Sequence, residues 1–174
     1  AVGEGDTIMV REAGLWKPQA LSDKASLHGA AGSAPDHIFA VGDGGLVLHS
    51  DGDLWQALNS PTTASLRDVA MLDDERAVAV GDGGVLLQLE ADGITGFEPL
   101  PEPYTDLGVR AVWATDAENV FTISVQSLHH FDGESWNTRF LPFFDSAASV
   151  WAASAQEVHV GGLQHASLHC QTSP

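Results

Sequence analysis

Ala40-Val41-Gly42-Asp43-Gly44-Gly45 returns as Ala79-Val80-Gly81-Asp82-Gly83-Gly84 and, more loosely, opens the chain as Ala1-Val2-Gly3-Glu4-Gly5-Asp6. The valines stand at 2, 41 and 80, a period of 39 residues. Val120-Phe121-Thr122-Ile123-Ser124 fills the same place in a fourth copy, and Val158-His159-Val160-Gly161-Gly162 in a fifth. A period in this range signals stacked supersecondary units, each unable to bury its apolar faces alone.

Two further landmarks share the period. One is Gly14-Leu15-Trp16, Asp51-Gly52-Asp53-Leu54-Trp55 and Asp132-Gly133-Glu134-Ser135-Trp136, with Asp92-Gly93 and Phe97 in the third copy. The other precedes the valine-glycine run, as at Ser26 to Ala31, Ser65 to Ala70, Gly108 to Trp113 and Ala147 to Trp151. Short runs of β-branched or apolar residues between Asp-Gly and Gly-Gly pairs predict strands joined by tight turns, with glycine supplying positive φ in hairpin turns of the primed types. One unit is expected to hold strand a (Leu66 to Met71), b (Ala77 to Gly81), c (Val85 to Leu89) and d (Phe97 to Leu100). No run keeps a 3.6-residue apolar period, so helix is expected to be nearly absent.

Four strands in about 40 residues is the unit of a β-propeller blade. The expectation is an all-β chain and a single propeller domain over 1–174, built from repeats near 1–25, 26–64, 65–107, 108–146 and 147–174 with incomplete end blades. The chain opens in mid-repeat and is expected to be a piece of something longer. A ring completed by a partner chain or by self-association is a further possibility.

The composition narrows the partners. Seven Lys and Arg against 24 Asp and Glu leave a formal charge of −17, which repels phosphate backbones and argues against nucleic acid. No apolar run is long enough for a membrane helix, so membrane insertion is not expected. Cys170 is the only cysteine and cannot form an intrachain disulfide.

The run Val41 to Trp55, together with the strand at Val109 to Trp113, resembles the BNR-like (YVTN-like) propeller repeats common in exported bacterial proteins. The resemblance spans essentially the whole chain and implies a secreted, periplasmic or cell-surface location in a bacterium. Similar repeats occur in sialidases, in the photosystem II assembly factor family and in surface proteins, so it implies fold more than activity. Sialidase chemistry would need a tyrosine nucleophile and an arginine cluster. The chain has five arginines, at 11, 67, 76, 110 and 139, one tyrosine, Tyr104, and no GxSxG or phosphate loop. The expectation is a binding or scaffolding module without chemistry of its own, with no cofactor and no metal; a lectin or a sialidase-related glycosidase are the alternatives.

A residue that recurs at one slot in every blade serves the blade, whereas a site belongs where blades differ. His49, His130 and His169 recur near the end of strand c and read as structural hydrogen bonders. Trp16, Trp55 and Trp136 share one slot, Trp113 and Trp151 another, and all are expected to pack between blades. Asp43, Asp51 and Asp82 are expected to bond their own turn backbones. His129, His130, His159, His165, His169 and Cys170 match no zinc spacing. The start of strand a does vary, through His28, Arg67, Arg110 and Ala148, and lies at one mouth of the central channel. With Asp43 and Asp82 from the b–c turns, Tyr104, and the loops Pro99 to Tyr104 and Leu141 to Phe144, these side chains form the expected surface for a protein or glycan partner.

Overall fold

The computed structural model describes residues 1–3, 7–12, 14–19, 25–97, 99–104, 108–141, 147–162 and 167–171, with Thr7, Glu12 and 167–171 described by their backbone. Among the described residues the strands form five antiparallel sheets in chain order. Blade 1 holds β1 (Val2–Gly3), β2 (Thr7–Glu12) and β3 (Leu15–Gln19); blade 2 holds β4 (Leu27–Ala34), β5 (His37–Gly42), β6 (Val47–Ser50) and β7 (Trp55–Ala57). Blade 3 holds β8 (Leu66–Met71), β9 (Ala77–Gly81), β10 (Leu86–Glu90) and β11 (Gly93–Gly96), and blade 4 holds β12 (Ala111–Asp116), β13 (Asn119–Ser124), β14 (Ser127–Phe131) and β15 (Trp136–Phe140). Blade 5 holds β16 (Ala147–Ser154), β17 (Glu157–Gly162) and β18 (Ser167–Gln171).

The apolar core lies between the sheets. One cluster joins Ile8 to Leu27, Ala40 and Leu48; a second joins Phe39, Val41 and Val47 to Leu66, Val69 and Ala79. A third joins Val78, Val80 and Leu100 to Val109, Val112 and Phe131, and a fourth joins Phe121, Ile123 and Leu128 to Val150, Val158 and Val160. Each cluster draws on two consecutive blades. A middle strand is therefore covered on both faces, which is why Ala77–Gly81 is apolar and buried at every position and does not alternate with polar residues.

The b–c turns have the primed backbone expected of them: Gly44 and Gly45 both take positive φ, 67° and 76°, with Leu46 N–H donating to the Asp43 carbonyl at 3.2 Å, and Gly83 and Gly84 repeat this at 67° and 70°. Glycine is needed twice over at position 45, because any Cβ there would run into the carbonyl oxygen of Thr62.

Strands a and b of blade 3 lie where the sequence placed them, and c is displaced by one residue. Strand d is corrected: it is Gly93–Gly96, because the turn after Glu90 is tight enough for pairing to resume at Gly93. Phe97 accordingly does not take the tryptophan slot. It packs forward onto Phe131 and Trp136 of blade 4, at ring distances of 5.4 and 6.3 Å.

The tryptophans divide. Trp55 faces blade 1 and donates its indole N–H to Gln19 Oε1 at 2.9 Å, and Trp113 faces blade 5 and donates to the Ala152 carbonyl at 2.8 Å. Trp16 and Trp151 hold the same slots in the two end blades, yet they are 56% and 46% exposed. The expectation of core packing fails for both, because the covering surface in the inner blades is the neighbouring sheet.

Candidate functional site

The predicted mouth is assembled by a repeated local device. Pairing between strands a and b skips one residue at the start of strand a in blades 2, 3 and 5, and the skipped residues are His28, Arg67 and Ala148. A bulge of this kind turns one side chain out of the pleat. Arg110 occupies the matching position in blade 4, where its N–H donates to the Ile123 carbonyl at 2.8 Å, and its side chain is exposed.

The turn aspartates meet these side chains and not their own backbones, which corrects the expectation for Asp43 and Asp82. His28 Nε2 donates to Asp43 Oδ1 at 2.8 Å, and Ser65 Oγ, at the start of blade 3, donates to the same oxygen at 2.9 Å. Arg67 grips Asp82 with two bonds, Nε to Oδ1 at 2.9 Å and Nη2 to Oδ2 at 2.5 Å. The bond from His28, then that from Ser65, holds the Asp43 carboxyl below its ordinary range; the bond from Arg67 does the same for Asp82 and raises the guanidinium in return. Asp51 does behave as expected, accepting from its own turn at Asp53 N and Leu54 N.

Tyr104 is half-buried: its ring packs into the cluster between blades 3 and 4, edge-on to His129 at 5.0 Å. Leu100 and Leu141, from the two flanking loops, are also buried. Residues 142–144 lie outside the described residues.

Further along, the inner strands of blades 2 to 5 line a partly open cavity of about 440 Å³. Its lining is small or apolar, including Ala30, Ala70, Val112 and Val150, with Met71, Trp113 and one carboxylate, Asp68. Asp68 Oδ1 accepts from its own neighbour Val69 N at 2.9 Å, and Oδ2 reaches across to Val112 N of blade 4 at 3.0 Å. Burial raises its pKa. The strand registers put Gly29, Ala111 and Ser149 at the equivalent position of the other blades. The space at Gly29 is tight, since a Cβ there would lie 3.0 Å from the Asp68 Cα. Asp68 is not among the expected site residues; the single carboxylate at this slot across the copies is the sequence signal for it.

The strand-c histidines are structural in their contacts. His49 shares a hydrogen with His37 Nδ1 at 3.0 Å, and His130 stacks on Phe121 with ring centres 4.3 Å apart. His129 is fully buried, bonded to Ser124 Oγ at 3.0 Å and Thr138 Oγ1 at 2.9 Å, and burial pushes its pKa down to about 4. His159 lies 3.5 Å from Glu157 Oε1. His165 lies outside the described residues, as do the side chains of His169 and Cys170. Among the described residues no three His, Cys, Asp or Glu side chains converge on a metal position.

No family model matches the sequence, and no curated protein matches it. Solved structures do match. Virginiamycin B lyase from Staphylococcus aureus superposes with a TM-score of 0.75 at 9% identity, over 98% of this chain and 64% of that one. YCF48 from Cyanidioschyzon merolae follows with a TM-score of 0.61 at 16% identity, over 88% of this chain and 58% of that one. The chain is a β-propeller. It spans less than two thirds of the length of either protein. Dihydro-heme d1 dehydrogenase NirN also matches, with a TM-score of 0.69 at 15% identity over 98% of this chain and 40% of that one. These neighbours correct the expectation of a module without chemistry: a lyase and a dehydrogenase are built on the same fold, so the propeller is compatible with enzymatic function.

Proposed function

We propose that this propeller binds a polypeptide partner on its channel-mouth face. The observation that carries the reading is the use of one backbone position in three successive blades to present His28, Arg67 and Arg110 at the same mouth. Two of these meet exposed turn aspartates, which makes the rim a row of alternating donors and acceptors suited to the amides and charged side chains of an extended chain. A propeller with a TM-score of 0.60 at 13% identity was solved as "YCF48 bound to D1 peptide", which supports peptide binding as a use of this architecture.

The test is selection of random twelve-residue peptides against the purified chain, followed by fluorescence anisotropy on the peptides recovered. Peptides that bind the native chain should bind a His28→Ala, Arg67→Ala, Arg110→Ala triple variant at least about tenfold more weakly and should weaken with added salt. Peptides that bind both proteins equally place the interface elsewhere, and an empty selection alongside binding on a glycan array supports the lectin reading.

A further inference from the structure

The cavity lined by the inner strands has a chemistry of its own, independent of whether the mouth binds peptides. From the residues that line it, we propose that it is a binding site for an alkylammonium group, with Asp68 as counter-ion and Trp113 and Met71 as the soft walls. Three observations lead there. Blade 3 is the only one of the four lining blades to place a carboxylate at this slot, where the others have Gly29, Ala111 and Ser149. Recurrence would mark a structural role, and its failure marks a local one.

The carboxylate is also fixed in place. Val69 N and Val112 N hold one oxygen each, at 2.9 and 3.0 Å, which leaves further lone pairs for a guest cation. Burial penalises the ionised form of this group, and an organic cation beside it offsets that penalty. Arg67, the adjacent cation on the same strand, is committed to Asp82 and does not serve as the counter-ion.

Finally, the rest of the wall suits the carbon shell of an alkylammonium. Trp113, half-buried and tethered by its indole N–H to Ala152, is part of the lining, Met71 contributes a polarisable thioether, and the remaining lining is alanine, glycine and valine. Indole and carboxylate together recognise ammonium groups through cation–π and ionic attraction. A volume of about 440 Å³ admits such a group with part of its chain. The charge of −17 raises the local concentration of cations around the molecule.

Titration of the 174-residue chain with tetramethylammonium and n-butylammonium at physiological salt, followed by NMR, tests the site. Neopentyl alcohol serves as the neutral probe. The Trp113 indole resonance, assigned by Trp113→Phe, should shift with the cations and not with the alcohol. Asp68→Asn keeps an oxygen for Val112 N and should weaken cation binding about tenfold, while Asp53→Asn, an exposed turn position, leaves it unchanged. Equal binding by Asp68→Asn overturns the proposal. If that variant fails to fold, a Trp113 resonance in the native chain that ignores the cations, or follows the alcohol equally, overturns it. An acetyl-Gly-Lys-Gly amide arm identifies the source: tighter binding than n-butylammonium points to a lysine side chain of a polypeptide, and weaker binding points to a free amine.

Discussion

Acidification should loosen blade 4 through one buried histidine. His129 is neutral in the fold, bonded to Ser124 and Thr138 beneath the Tyr104 ring, with a pKa of about 4 against 6.5 in a free histidine. The folded value is the lower one, so the unfolded chain takes up the proton first. The stabilisation is complete above pH 6.5 and is lost as pH falls toward 4. Linkage gives a loss of about 2 kcal/mol at pH 5 and about 3 kcal/mol at pH 4 from this residue. His49 and His130 are lowered by burial in the same sense, so the native chain has a steeper slope than one residue supplies. The comparison that isolates His129 is therefore with His129→Gln, whose amide can reach both hydroxyls and does not titrate. Urea unfolding followed by tryptophan fluorescence at pH 7.5, 6 and 5 should show the two proteins converging by about 2 kcal/mol as pH falls. Parallel curves would refute the assignment of a buried neutral imidazole.

The two glycines of one turn should respond very differently. Gly44→Ala faces open space at φ of 67° and should cost about 1 kcal/mol, whereas Gly45→Ala meets the Thr62 carbonyl as well and should cost more than about 3 kcal/mol or prevent folding, both read by thermal melts. Thr122 Oγ1 is buried with no hydrogen-bond partner among the described residues, so Thr122→Val should stabilise by about 1 kcal/mol in urea. Arg67→Ala breaks a solvent-exposed ion pair and should cost less than about 1 kcal/mol, so a loss of peptide binding in that variant reports the mouth and not the fold.

The repeat was legible because hairpin punctuation and strand composition are local properties. Leu66–Met71 and Ala77–Gly81 could be bounded to the residue from turn signals at both ends. Strand d of blade 3 was not, because an aromatic residue was aligned with a tryptophan slot. Phe97 and Trp136 are both large and apolar, but only the neighbouring sheet decides that one packs forward and the other back. The same limit explains Trp16 and Trp151, whose slots are buried in other blades by surfaces three-dimensional stacking supplies. That His28, Arg67 and Ala148 share one slot at the start of strand a was readable from comparing the copies. Which aspartate meets which cation was not, since that depends on bulges that turn His28 and Arg67 toward Asp43 and Asp82. That Leu100 and Tyr104 turn inward from a loop whose prolines are exposed was not legible either, because the covering blade is supplied only by the fold.

The placement of every apolar cluster between consecutive sheets bears on the molecule's birth on the ribosome. A newly emerged blade has its hairpins but no second surface to close against, so it gains lasting structure only when the following 39 residues have cleared the exit tunnel. Folding is expected to trail synthesis by one blade, with the forward apolar face of the newest blade passing from Val41 and Val47 to Val78 and Val80 and then to Phe121 and Ile123 as each successor arrives to cover it.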